Sequence, residues 1–292
     1  MTPAKRAVWA GLDGMTAQDA AGFARRVEAM GYGALWIPEA LGREPFSFAA
    51  WLLANTSTLT LATGIANIYA RDARAARAAQ LTLAEQSGGR FLLGLGVSHR
   101  PLVEDARGHA YARPVETMRA YLTAMGAANY MARQPAVAPK TVIAALGPRM
   151  LELARGHADG AHPYLVTPEH TAEARRILGP DKLLMVEQKV VLNTDPVQAR
   201  ATARKMLGLY FALPNYRNNL ARLGFAAEEI DTDGGSDRLV DALVAWGDEA
   251  ALEARIRAHL DAGADQVCIQ ALSAGGEPDE AALRALAPKT DA

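Results

Sequence analysis

Short, almost continuously apolar runs recur along this chain, each followed by a turn residue and an amphipathic segment that ends in glycine and leads straight into the next apolar run. About eight such runs are present: VWAGLD from Val8, ALWIPE from Ala34, LTLATGI from Leu59, FLLGLGV from Phe91, TVIAAL from Thr141, GAHPYLV from Gly160, LLMVEQKVVLN from Leu183 and QVCIQAL from Gln266. Runs without polar alternation suit strands covered on both faces, which means parallel strands with helical crossovers. Helix starts are marked by Thr16 with Asp19 and by proline after Gly147, Thr167 and Asp195. Helix ends are marked by Gly31, Gly88, Gly179 and Gly263. The pattern predicts an α/β fold, a TIM (β/α)8 barrel, with a doubly wound open sheet as the other arrangement it allows.

The 292 residues would divide into roughly two domains of about 150, but a barrel commonly reaches this length as one. No Pro-, Gly- or Ser-rich linker interrupts the chain, so residues 1–292 are read as a single domain. The spacing from Asn193 to Gln266 is too long for one crossover. It predicts a helical excursion over about 194–265, between strands seven and eight, in which DRLVDALVAWG reads as helix and Asp231–Asp237 as a loop.

A formal net charge of -1 with mixed signs offers no footprint for nucleic acid or an anionic membrane surface. No apolar stretch approaches the roughly 18 residues of a membrane span, and Asp13 interrupts the N-terminal run, so a cytoplasmic protein is expected. The one cysteine, Cys268, lies inside an apolar run and reads as a buried, inert thiol. The six histidines are scattered without metal-ligand spacing, so no metal site is expected.

In such a barrel the working face is the C-terminal end of the strands. There the chain places Glu39, Asn67, Arg71, Ser98, His99, Leu146 to Arg149, and His162 with Tyr164. ALGPRMLELA joins a strand end to a helix start, which reads either as an anion cradle or as a tight turn with proline in the first helical position. GLGVSH implies only a close backbone approach. Glu39 is either a solvated strand-end carboxylate or an acceptor facing a ligand. His99, after a glycine-rich strand end, is the strongest candidate for proton transfer. Arg71, Arg74 and Arg77 read as the solvated face of a helix.

Three segments, LATGIANIYARD (61–72), SGGRFLLGLGVSHRP (87–101) and AALGPRMLELARGHADGAHPYLVTPEHT (144–171), together resemble the bacterial luciferase-like flavin and deazaflavin oxidoreductases, specifically the branch using coenzyme F420. The resemblance spans nearly the whole chain. It implies a homodimeric oxidoreductase acting on a small-molecule substrate, with F420 or alternatively FMN lying across the strand ends. Its phosphate would sit at Leu146, Gly147, Pro148 and Arg149. A cis peptide at Gly64-Ile65 would back the ring, and Asn67, Gly96, Val97, Ser98, His162 and Tyr164 would complete the cradle. The histidine that relatives often carry after the strand-two carboxylate is here Ala40, and the glutamate of sugar-phosphate enzymes is His99. The expected chemistry is hydride transfer, with His99 as general acid or base and Glu39 orienting it or the ring edge, and Gly208–Tyr216 roofing the pocket. An FMN-dependent two-component monooxygenase and a non-catalytic flavin-binding protein are the alternatives.

Overall fold

A computed structural model describes residues 3–289. The strands are β1 (Arg6–Trp9), β2 (Ala34–Ile37), β3 (Thr60–Thr63), β4 (Ala66–Asn67), β5 (Phe91–Gly96), β6 (Thr141–Ile143), β7 (Gly160–Ala161), β8 (Leu183–Leu192), β9 (Val244–Gly247) and β10 (Gln266–Ala271). All pairings are parallel. The sheet runs β10-β1-β2-β3-β5-β6-β7-β8 and closes through β10 on β8, with Gln266 opposite Met185. All eight predicted strands are in this barrel. Two short strands add to them: β4 continues β3 beyond a bulge, and β9 pairs Val244–Gly247 with Lys189–Leu192.

Both faces of the strands are buried, each in its own way. Ala7, Trp9, Ala34, Trp36, Ala62, Leu92, Val142, Met185 and Cys268 share one apolar cluster inside the barrel. Their alternates Val8, Leu35, Ile37, Leu61, Leu93, Ile143, Leu184, Val186 and Ile269 pack with the surrounding helices in another. This double coverage is why the runs show no polar alternation. Cys268 is fully buried, and burial raises its thiol well above the ordinary range.

Helix boundaries follow local chemistry. Thr16 Oγ1 accepts from Asp19 N at 3.1 Å, while Pro148, Pro168 and Pro196 open their helices. Gly31, Gly88, Gly179 and Gly263 close theirs at φ from 65° to 102°, in the left-handed region that side chains avoid. The excursion comprises helices Pro196–Phe211, Pro214–Arg222, Ala227–Asp231 and Asp237–Leu243, then β9 and the crossover helix Glu249–Asp261. Thus DRLVDALVAWG is helix only as far as Leu243, where Val244-Ala245-Trp246 finds the free edge of β8. Leu207, Phe211, Tyr216, Phe225, Leu239 and Leu243 join the cluster that fills the barrel, so the excursion caps its mouth. Among the described residues no helix is long and apolar enough to cross a membrane.

Candidate functional site

The glycines of β5 shape the mouth of the barrel. A β-carbon on Gly94 would lie 2.0 Å from the Thr63 carbonyl oxygen, and one on Gly96 would lie 2.3 Å from Ile65 Cδ1. Bare backbone therefore lets β5 press against the bulge after β3, where the Gly64-Ile65 peptide is cis. Thr63 Oγ1 stitches the two strands, accepting from Gly94 N at 2.9 Å and donating to Gly94 O at 2.7 Å. Gly94-Leu95-Gly96 here serves strand-to-strand contact, the close approach expected from GLGVSH.

Above this seam lies a cavity of about 570 Å³. Of the residues singled out from sequence, Glu39, Gly64, Ile65, Gly96, Val97, Ser98, His99, Leu146, Gly147, Pro148, Arg149, His162 and Tyr164 line it. Asn67 does not. It is 2% exposed, and its Oδ1 accepts from Tyr69 N at 2.9 Å, so its side chain is spent on a turn. His162 and Tyr164 lie beyond the strand predicted to carry them, because β7 ends at Ala161; both still reach the cavity from the segment that follows.

Among the described residues, Glu39 lines the cavity but is not hydrogen-bonded to His99. Its carboxylate takes two hydrogen bonds from Arg71, at 2.6 and 2.8 Å, and one from Asn67 N at 2.7 Å. Arg71 precedes its helix rather than lying on it, and its side chain is 12% exposed. The solvated-face reading fails for this residue because the strand-two carboxylate draws it inward. Glu39 thus acts as a strut between the ends of β2 and β4.

His99 follows β5 and leads into the helix Arg100–Glu104 without making a side-chain cap. Its Nδ1 lies 3.2 Å from Asn215 Oδ1, and its ring tilts against Tyr216 at 5.6 Å between centroids. Burial holds its pKa below the ordinary imidazole value, opposed by the Asn215 hydrogen bond. His162 is deeper. Its Nδ1 donates to Met185 O at 2.8 Å, its ring stacks on Trp36 at 4.2 Å, and burial lowers its pKa to about 4. A neutral imidazole donating through Nδ1 leaves Nε2 as an acceptor. That Nε2 and Trp9 Nε1 are both buried with no hydrogen-bond partner among the described residues. Both abut Gly64, where a β-carbon would lie 3.2 and 2.5 Å from them.

One wall is aromatic. Tyr210 OH and Tyr164 OH are 2.8 Å apart, Tyr164 OH donates to Gln270 at 2.9 Å, and Tyr216 meets Tyr210 edge-on at 5.2 Å. Behind this wall Lys189 Nζ sits 3.7 Å from the Tyr164 ring centroid and 3.1 Å from Glu187 Oε1, both side chains being fully buried. Glu187 Oε2 accepts from Leu165 N at 3.0 Å, and Leu165 has φ 58°. The pair therefore pins the turn that carries Tyr164. At the opposite rim the helix Pro148–His157 points its N-terminus at the cavity. A β-carbon added at Gly147 would meet nothing within 4 Å, and Arg149 pairs with Glu116 at 2.9 Å.

Leu209, Tyr210, Leu213, Asn215 and Tyr216 also line the cavity, so the Gly208–Tyr216 segment does roof the pocket. Trp9 is a lining residue that sequence reasoning misses, because an aromatic residue in an apolar strand reads as core; its place at the C-terminal end of β1 is the available signal. Chemically, the site offers a mostly apolar slot, an open helix N-terminus at one rim, and a half-buried imidazole.

Residues 1–266 match the luciferase-like monooxygenase family. The chain is 27% identical over 288 residues to a 5,10-methylenetetrahydromethanopterin reductase of Methanolobus tindarius, covering 84% of this chain and 87% of that protein. It is 35% identical over 95 residues to a Mycobacterium tuberculosis protein provisionally named a coenzyme F420-dependent oxidoreductase, a match spanning 32% of this chain and only 27% of that one. Among solved structures it superposes on the coenzyme F420-dependent tetrahydromethanopterin reductase of Methanopyrus kandleri with a TM-score of 0.78 at 18% identity, over 98% and 99% of the two chains. It also superposes on an FMN complex of a Baeyer–Villiger monooxygenase component from Pseudomonas putida, with a TM-score of 0.65 at 12% identity, over 92% of each chain.

Proposed function

The chain belongs to the luciferase-like monooxygenase family, and within it we propose an oxidoreductase that transfers hydride between coenzyme F420 and a small organic substrate. The observation that carries this reading is the cavity: an apolar slot over Gly64-Ile65, open at a helix N-terminus, with His99 in its wall. The residues fit a deazaflavin. Gly147 leaves the backbone open where a phosphate would meet the positive end of the Pro148–His157 helix. Gly64, Ile65, Gly96 and Val97 offer an uncharged surface for a ring. When bound, the cofactor supplies a carbon centre that gives or takes hydride and reacts poorly with oxygen.

The chain's own residues do the rest. His99 moves the proton at Nε2, while Asn215 engages Nδ1. Glu39 with Arg71 fixes the backbone after the bulge through the Asn67 N–H. Leu213 and Tyr216 cover the slot from above and would exclude water from it.

The test is calorimetric or fluorescence titration of cofactor-free protein with F420 and, separately, FMN. Tight binding of F420 alone supports the proposal. Preference for FMN replaces it with an oxygen-activating monooxygenase, and binding of neither ends the cofactor assignment.

A further inference from the structure

The helical excursion brings Asn215 to His99 across 116 residues of sequence. We infer that Asn215 is a positioning residue: its side-chain oxygen holds the proton of His99 on Nδ1, leaving Nε2 unprotonated as a base, so that the site is built to take a proton from substrate rather than to give one. With the Asn215 side-chain oxygen facing the ring at 3.2 Å, the imidazole donates through Nδ1, because that oxygen can only accept, and a neutral ring then carries its lone pair on Nε2. Nε2 has no hydrogen-bond partner among the described residues, and His99 lines the cavity. The orientation is fixed twice from one helix, Pro214–Arg222, because Tyr216 lies against the imidazole next to the Asn215 contact. The charged side chains of the cavity wall are otherwise engaged, Glu39 with Arg71 and Arg149 with Glu116. Neither competes for the imidazole proton.

The inference rests on the proposed hydride-transfer reading. In the oxidative direction a substrate O–H bond breaks and its proton passes to His99 Nε2. A bound oxidised deazaflavin would supply the acceptor for the hydride that leaves the carbon bearing that oxygen as its carbon–oxygen double bond forms, and the imidazolium would keep its Nδ1–H on Asn215. Reduction would require the imidazolium first, a form that burial at this position disfavours.

The experiment is nitrogen-15 NMR of histidine-labelled, cofactor-free protein, with His99 assigned through His99→Gln. The expected result is a neutral His99 protonated at Nδ1 in the native chain and in Asn215→Asp, which keeps an acceptor, but shifted toward protonation at Nε2 in Asn215→Ala. Asn215 is exposed, so the substitution leaves the fold intact. With a substrate in hand, Asn215→Ala lowers kcat for oxidation by about tenfold or more with KM little changed, and Asn215→Asp restores part of it. A native ring protonated at Nε2, or a tautomer indifferent to Asn215→Ala, overturns the inference. If the tautomer follows Asn215 while the protein binds neither cofactor, the positioning role stands and the hydride-transfer reading falls.

Discussion

Substituting Lys189 by methionine removes one half of an ion pair that has no access to water. Both side chains are fully buried, and burial pushes the Glu187 carboxyl up and the Lys189 ammonium down, each opposing the other's shift. In Lys189→Met the carboxylate keeps only the Leu165 N–H, at 3.0 Å. Breaking a buried pair from one side costs about 3–5 kcal/mol, because the remaining charge stays uncompensated. With an unfolding entropy of roughly 2.1 cal/mol/K per residue over 292 residues, this lowers Tm by about 5–8 °C. The sign with pH follows from the carboxyl. Without lysine its folded pKa rises further above the unfolded value of 4.5, so the deficit relative to the native chain is smallest below that value and grows as pH rises toward the folded pKa. Glu187→Gln/Lys189→Met, which leaves no charge and keeps an acceptor for Leu165 N–H, recovers most of the loss. Thermal unfolding of the three proteins between pH 4 and 8 is the assay. A single variant within about 1 °C of the native chain at neutral pH, or a deficit independent of pH, would falsify the account of the pair.

Further expectations separate structural from chemical roles. Gly94→Ala, whose β-carbon meets the Thr63 carbonyl at 2.0 Å, destabilises by about 2–3 kcal/mol in denaturant unfolding, whereas Gly147→Ala leaves stability within about 0.5 kcal/mol and weakens cofactor binding; equal stabilities would refute the packing argument. His259, bonded to Thr171 and Gln188 at 2.8 Å each, is held neutral with its pKa lowered to about 3, as His162 is at about 4. Both folded values lie below the unfolded 6.5, so their contribution is present above pH 6.5 and declines below it by about 1.4 kcal/mol per pH unit for each histidine. A flat Tm between pH 7 and 5 would contradict this. His99→Ala reduces turnover by about 10²–10⁴-fold, while Glu39→Gln, altering a strut, lowers stability and cofactor affinity more than kcat; steady-state kinetics beside binding titrations decides the assignment.

The barrel was legible because local and global signals agree. Glycines at helix ends take positive φ, prolines open helices, and runs such as Phe91–Gly96 are apolar throughout because both faces are covered. What escaped the sequence depended on partners distant along it. Arg71 continues an Arg-x-x-Arg-x-x-Arg spacing and looks solvated until Glu39, 32 residues earlier, is seen to hold it. Asn67 looks available until its own turn consumes it. Val244–Gly247 is a strand only because β8 runs long enough to leave it an edge. Periodicity located the excursion but could not say that Asn215 meets His99, since nothing local to either residue encodes the other.

The single, fully buried Cys268 makes the chain a clean scaffold for site-specific chemistry. A cysteine introduced at Leu209, which is 69% exposed at the cavity rim, would be the one thiol reactive in the folded protein. A fluorophore attached there would report in real time on anything entering beneath the roof, with no background labelling to subtract.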